Sequence, residues 1–278
     1  LASVLPPLMV QAEHLASTGL LGAHGRRRSG MGDEFWQYRP IAQGDEVREI
    51  DWRRSAKSDV HFIRQKEWQA AQSVVIWVDG SRSMGYSGDR ERATKSDRAR
   101  LLALALSVLL VRAGERVGLA NLGTPPRSGQ VQLVRLAEAL TGELSQDDYG
   151  SPQTPGLPAH SRAVFLSDFM GDMGEVEAAL AKAADRGVHG MLFQILDPVE
   201  ETFPFDGRTI FESMGGTLSH ETLKAGELKS RYLERLAERK DRLDHLARLS
   251  GWLYHCHHTG DSAQSALLWL YAALERSA

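Results

Sequence analysis

The feature that most constrains the fold is an alternation of strand and helix patterns from about residue 70 to the end of the sequence. It opens with Ser73–Val78, a run of β-branched and aromatic residues that indicates a buried strand. Later strands are predicted at 116–122, 163–166, 188–196 and 251–257, and helices at 96–112, 131–144, 175–186, 227–249 and 262–276. Repeated strand–helix units form a mostly parallel sheet with helices on both faces, so the sequence predicts an α/β fold of the Rossmann type.

The first part of the chain follows a different pattern. Residues 1–23 have the spacing of an amphipathic helix, and residues 24–34 are rich in glycine and charge, which indicates an exposed loop. A strand is predicted over residues 60–68. We therefore expect two parts, an N-terminal segment over residues 1–69 that packs on the rest, and an α/β domain over residues 70–278.

Composition limits the classes of function. Of the 278 residues, 42% are hydrophobic and 25% are charged, the balance of a globular protein rather than a disordered or fibrous one. The formal net charge of −3 gives no global positive field that would attract nucleic acid. The longest apolar run, residues 101–111, is about half of the roughly 20 residues that a membrane-spanning helix needs. The single cysteine, Cys256, excludes an internal disulfide and fits a reducing compartment, so we expect a cytoplasmic protein. The apolar stretch over residues 1–10 has no basic residues before it and no convincing cleavage site after it, so we expect no signal peptide.

Candidate functional residues lie in loops that leave the carboxyl ends of the predicted strands, where open α/β sheets bind ligands. Asp79, Ser81 and Ser83 directly follow the first buried strand, and Asp168 follows a later one. Two hydroxyls at positions i and i+2 of a turn can face one ion, and the carboxylates supply negative charge. Oxygen ligands of this kind suit Mg²⁺. The sequence therefore predicts one Mg²⁺ ion, or Mn²⁺ or Ca²⁺, bound with modest affinity.

Two further questions are whether this site performs catalysis and whether the Asp79 loop binds a metal at all. No histidine follows in a triad arrangement and no Gly-x-Ser-x-Gly motif is present, so the sequence offers no natural nucleophile–base pair. The competing interpretation of the Asp79 loop is a helix-capping turn, in which polar side chains bond backbone amides. We expect a binding protein rather than an enzyme.

A resemblance to a known family rests on blocks distributed along the chain. The upstream blocks are Gly30-Met31-Gly32-Asp33-Glu34-Phe35, Arg39-Pro40, Gly44-Asp45-Glu46-Val47-Arg48, Ile50-Asp51-Trp52 and Ser55-Ala56-Lys57. The downstream blocks are Asp79-Gly80-Ser81-Arg82-Ser83-Met84, Ser167-Asp168-Phe169 and Leu196-Asp197-Pro198-Val199-Glu200. In this order, from about residue 20 to the C-terminus, they resemble the bacterial "domain of unknown function 58" family.

The resemblance implies more than the residues alone do. The Asp-x-Ser-x-Ser pattern after a hydrophobic strand is similar to the metal-ion-dependent adhesion site of von Willebrand factor A domains. This similarity implies a von Willebrand A-like domain whose metal ligands are Asp79, Ser81, Ser83, Thr154 and Asp168, with Thr141 and Ser151 as alternatives to Thr154. The family resemblance also implies a protein partner, a MoxR-type AAA+ ATPase or its client, in chaperone-like assembly.

Two other functions stay open at the level of sequence. One is a metal-dependent hydrolase that uses the same loops, and the other is nucleic-acid binding through Arg26–Arg28. Acidic residues interleave with the basic ones over residues 26–66, which favours an ion-paired or partner-docking segment over nucleic-acid binding.

The run His255-Cys256-His257-His258 contains side chains that bind zinc in other proteins. On a strand, however, Cys256 points away from His255 and His257, and no second cluster lies close in sequence. We therefore predict no zinc site here and a buried packing role for Cys256.

Overall fold

The computed structural model describes residues 7–22, 35–41, 50–56, 60–66, 71–152, 154–212, 219–222 and 225–276. The helices are α1 Pro7–Gly22, α2 Trp52–Ser55, α3 Lys95–Arg112, α4 Gln130–Leu140, α5 Met173–Ala184, α6 Pro198–Thr202, α7 Ala225–Leu249 and α8 Ala263–Arg276. The strands are β1 Phe35–Pro40, β2 Phe62–Lys66, β3 Ser73–Val78, β4 Arg116–Leu119, β5 Arg162–Ser167, β6 His189–Leu196, β7 Thr209–Glu212, β8 Ser219–Thr222 and β9 Leu253–His258. Among these helices, none is long and apolar enough to cross a membrane.

Contacts divide the chain into two compact units, which differ from the two predicted parts. One unit comprises Leu1–His24 and Gln72–Ala278, and the other comprises Gly25–Ala71. The larger unit resumes at Gln72, and α1 belongs to this unit rather than to the residues that directly follow α1 in the sequence. Its fully buried Met9, Ala12 and Ala16 lie in the hydrophobic core of the larger unit, where α1 contacts α3 and α8.

The larger unit is built on a five-stranded sheet of order β4-β3-β5-β6-β9, and every neighbouring pair is parallel. Strand β3 pairs with β4 on one side and β5 on the other, so that Ile76 lies beside both Leu119 and Val164. Helices connect successive strands, as parallel pairing requires. The predicted α/β fold with a parallel sheet is confirmed.

Helices cover both faces of this sheet because alternate strand residues point to opposite sides. Val74, Ile76 and Val78 face a core that α1, α3, α4 and α8 complete. Val75 and Trp77 face the other core, to which α5 and α7 contribute. The nearly continuous burial along β3, the pattern of a strand covered on both faces, follows from this arrangement.

The start of α3 differs from the prediction by one residue, for a clear chemical reason. Thr94 caps the helix: its hydroxyl accepts from the Asp97 amide, and the Asp97 carboxylate accepts from the Thr94 amide. This reciprocal capping box satisfies two otherwise unpaired amides. Ser96 lies inside the helix and is buried.

The smaller unit contains a two-stranded antiparallel sheet of β1 and β2 together with the short helix α2. Asp51 caps α2 through the Arg54 amide, and the Ser55 hydroxyl accepts from the Phe62 amide. Several residues on which predictions were based lie outside the described residues: Arg26–Arg28, residues 30–34, residues 44–48 and Lys57.

Candidate functional site

The parallel pairing of β3 and β5 brings Asp79 and Asp168 to one edge of the sheet. Val78 lies beside Leu166 in the register, and the Asp79 amide donates to the Leu166 carbonyl at 2.9 Å. Each aspartate is only 1% exposed. The two strand-end carboxylates that the sequence predicts at this site therefore share one buried environment.

The carboxylate of Asp79 is oriented by two hydrogen bonds. Its Oδ1 accepts from the Ser81 amide at 2.8 Å, and its Oδ2 accepts from the Ser167 hydroxyl at 2.6 Å. Burial raises the pKa of Asp79, and the negative charge of Asp168 raises it further, although the bonds from Ser167 and Ser81 oppose the rise. A cation at this edge would relieve the repulsion between the two aspartates.

Ser81 and Ser83 are both buried, and their Oγ atoms lie 3.2 Å apart. Neighbouring ligands in the octahedral shell of Mg²⁺, at 2.0–2.1 Å from the ion, lie about 3 Å apart. The two hydroxyls therefore fit adjacent ligand positions on one ion. The capping interpretation is supported at Asp79, which bonds the Ser81 amide, but not at Ser81, whose side chain makes no capping bond.

A second loop closes over the Asp79 turn. The carbonyls of Asp147 and Asp148 accept from the amides of Arg82 and Ser83, each at 2.9 Å. Gly150 approaches Asp79 so closely that an added Cβ would lie 2.1 Å from Asp79 Oδ1. These contacts are made mainly by the backbone, which is why side-chain patterns in the sequence did not reveal them.

Thr154, the predicted loop threonine, lies four residues beyond this close approach. It forms a turn in which the Leu157 amide donates to its carbonyl at 3.1 Å. Within the described ranges, no hydrogen bond joins Thr154 to the other four predicted ligands. Of the two alternatives, the Thr141 hydroxyl donates to the Glu138 carbonyl at the end of α4, and the Ser151 hydroxyl donates to the Glu175 carboxylate. The structure thus brings Asp79, Ser81, Ser83 and Asp168 together, whereas the Thr141 and Ser151 hydroxyls donate to Glu138 and Glu175.

The main residue that sequence analysis missed is Lys95, in the first turn of α3. Its ammonium donates to Asp168 Oδ2 at 2.8 Å and to Glu200 Oε1 at 2.7 Å, and its side chain is 1% exposed. Burial alone would lower the pKa of Lys95, but the charges of Asp168 and Glu200 outweigh burial and raise the pKa above its usual range. Because the other oxygen of Asp168 accepts from the Met170 amide, both oxygens already have partners.

The segment Leu196-Asp197-Pro198-Val199-Glu200 has a structural role beside this ion pair. Asp197 caps α6 in a capping box with Glu200. The Asp197 carboxylate also accepts from Arg92 at 3.1 Å and from the Thr259 hydroxyl at 3.0 Å. Burial raises the pKa of Glu200, although Lys95 opposes the rise. This segment therefore links the carboxyl ends of β6 and β9 to the start of α3.

These features define an α/β protein with a fully parallel sheet and a buried cluster of carboxylates and hydroxyls at the carboxyl edge of that sheet. The chain belongs to the family described as "Protein of unknown function DUF58", whose model matches residues 37–242. The family expected from the sequence blocks is thereby confirmed.

Solved structures that are similar to this chain include two proteins from Bacteroides. The conserved hypothetical protein BatB from Bacteroides thetaiotaomicron shares 15% sequence identity at a TM-score of 0.43, over 74% of this chain and 100% of that one. An aerotolerance-related membrane protein from Bacteroides fragilis shares 13% identity at a TM-score of 0.42, with the same coverage. No curated protein matched the sequence.

Proposed function

We propose that the chain is a metal-dependent protein-interaction module of the von Willebrand A type and not an enzyme. Asp79, Ser81 and Ser83 would hold one Mg²⁺, Mn²⁺ or Ca²⁺ ion, and Asp168 would add negative charge. The observation that carries this proposal is the pair of buried hydroxyls 3.2 Å apart beside two buried carboxylates. Thr154 remains a predicted ligand that no contact supports.

Features of the surrounding residues support the proposals of modest metal affinity and of partner binding. Lys95 neutralises part of the charge of Asp168, so the ion meets fewer uncompensated carboxylates than the sequence implies. A bound ion supplies a Lewis-acidic position that a carboxylate of a partner can fill. Tyr149, in the loop over Asp79, is 44% exposed and offers an aromatic surface next to that position.

The proposed partner is a MoxR-type AAA+ ATPase or its client, bound during chaperone-like assembly. This part of the proposal is supported by the family resemblance alone. Neither alternative function gains a favouring observation from the described part of the chain, and Arg26–Arg28, on which nucleic-acid binding would depend, lie outside it.

Capture of a purified MoxR-type ATPase from the same genome tests the proposal. The immobilised full chain is expected to retain the ATPase in Mg²⁺ and to release it in a chelator. Asp79→Ala should lose capture. Asp172→Ala should retain capture of the ATPase. Asp172 is the exposed cap of α5, so this substitution removes the same charge as Asp79→Ala but outside the cluster. Capture that resists both the chelator and Asp79→Ala would contradict a metal-dependent interaction.

A further inference from the structure

A second cluster of metal-binding side chains lies where α6, α7 and β9 meet. Glu201, Cys256 and His258 each offer one ligand atom, and these atoms all lie within 4.8 Å of one another. Cys256 and His258 are two residues apart on β9 and therefore point to the same face. Glu201 reaches them because β6, which leads into α6, pairs with β9 so that Leu196 lies beside His258.

The two ring nitrogens of His258 have the surroundings of a metal ligand. Nε2 lies 2.8 Å from Glu201 Oε2 and is buried, yet it forms no hydrogen bond to any residue that the structure describes. Nδ1 lies 3.6 Å from Asp261 Oδ2. In metal sites, a carboxylate commonly faces the imidazole nitrogen that does not bind the metal, and it fixes the orientation of the ring.

The cluster already attracts one positive charge. The Lys240 ammonium, from α7, forms an ion pair with Glu201 and a hydrogen bond with Cys256. Lys240 and Glu201 are 25% and 33% exposed, so the lysine can turn outward into solvent. A metal ion that enters between the three ligands would replace Lys240 as their cation.

We propose that Glu201, Cys256 and His258 form a site for a transition metal of the Zn²⁺ class, with a fourth position open to water. One sulfur, one nitrogen and one oxygen ligand match the borderline-soft character of Zn²⁺, whereas Mg²⁺ takes oxygen ligands. The site is independent of the proposed Asp79 site and does not rest on the proposed function. This proposal revises the expectation that the run His255-Cys256-His257-His258 binds no zinc. The sequence did not reveal the site because one of its three ligands, Glu201, is remote from this run in sequence.

Cobalt is a suitable probe because Cys256 is the single cysteine of the chain. A thiolate-to-Co²⁺ charge-transfer band can therefore arise only at this site. We expect Co²⁺ added to the full chain to produce the band and Zn²⁺ to remove it by competition. Cys256→Ser should abolish the band. His258→Ala and Glu201→Gln each remove a ligand and should weaken Co²⁺ binding by at least the roughly 10- to 100-fold that loss of a residue behind a ligand costs.

Matched variants separate this site from its surroundings. His255→Ala should leave the band intact, because His255 lies on the opposite face of β9 and stacks on Trp269 at 4.4 Å between ring centroids. Lys240→Met should strengthen binding, because it removes the competing ammonium. Asp79→Ala should leave the band unchanged, so failure of the Mg²⁺ proposal is distinguishable from failure of this one.

Two results would overturn the proposal. One is the absence of a sulfur band in the wild-type chain at saturating Co²⁺, a result that does not depend on the folding of any variant. The other is a band that persists at full strength in both Glu201→Gln and His258→Ala, which would mean that the thiol binds metal alone.

Discussion

At the scale of single residues, Lys95 is a buried cation beside the candidate site, where it pairs with Asp168. A buried ammonium is costly unless opposite charges and hydrogen bonds compensate it. Asp168 and Glu200 do so at 2.8 and 2.7 Å, and both carboxylates depend on Lys95 in turn. Removing one member of such a group leaves uncompensated buried charge on the others.

Lys95→Met should therefore lower the free energy of unfolding by about 3–5 kcal/mol, measured by urea denaturation. Adding Glu200→Gln should restore part of this loss, because one unpaired negative charge disappears. Lys182→Met, which removes an exposed lysine from the last turn of α5, is the matched control and should change stability by less than about 0.5 kcal/mol. Equal stability of the Lys95 and Lys182 variants would contradict the buried ion pair.

Among the secondary-structure elements, the strands of the parallel sheet and the residues directly after them are predictable from the sequence. Ser73–Val78 was predicted with its exact bounds because a β-branched run ends at Asp79-Gly80, and Asp79 and Asp168 follow from their positions after such runs. Partners that come from distant parts of the chain could not be predicted. Lys95 has the sequence context of a surface lysine in a first helical turn, and Gly150 acts through its lack of a side chain.

The loop that covers Asp79 is expected to be sensitive to a single methyl group. In Gly150→Ala the Cβ would overlap Asp79 Oδ1, so the loop must move or the carboxylate must turn. Overpacking of this kind costs about 1–3 kcal/mol, and we expect Mg²⁺ affinity to fall about tenfold in a calorimetric titration. Gly80→Ala, where an added Cβ meets nothing within 4 Å, should bind as the wild type does. If Gly150→Ala and Gly80→Ala weakened Mg²⁺ binding equally, the close approach of Gly150 to Asp79 would be contradicted.

For the molecule as a whole, the division into units was predictable only in part. The change of pattern near residue 70 does mark a boundary, since the larger unit resumes at Gln72. Helix α1, however, packs against α3 and α8, which lie far from it in sequence. Its amphipathic spacing predicts an apolar face but does not say which surface that face covers.

The packing of α1 predicts different costs for two adjacent residues. Met9 is fully buried, whereas Val10 is 54% exposed. Met9→Ala should lower the free energy of unfolding of the full chain by about 2–5 kcal/mol because it opens a cavity between helices. Val10→Ala should stay within about 0.5 kcal/mol of the wild type. Chemical denaturation measures both free energies of unfolding. If Met9→Ala and Val10→Ala each changed stability only slightly, α1 would not contribute to the hydrophobic core of the larger unit.

The central claim, that the buried cluster after β3 and β5 binds a divalent cation, is tested most directly by isothermal titration of the full chain with Mg²⁺. The wild type and Asp172→Ala should each bind one ion with modest affinity. Asp79→Ala should bind none and should still unfold cooperatively, because the two hydrogen bonds that it loses are offset in part by the loss of repulsion from Asp168. Binding of equal strength and stoichiometry by the wild type and Asp79→Ala would contradict the claim, as would no binding by the wild type at millimolar Mg²⁺ or Mn²⁺.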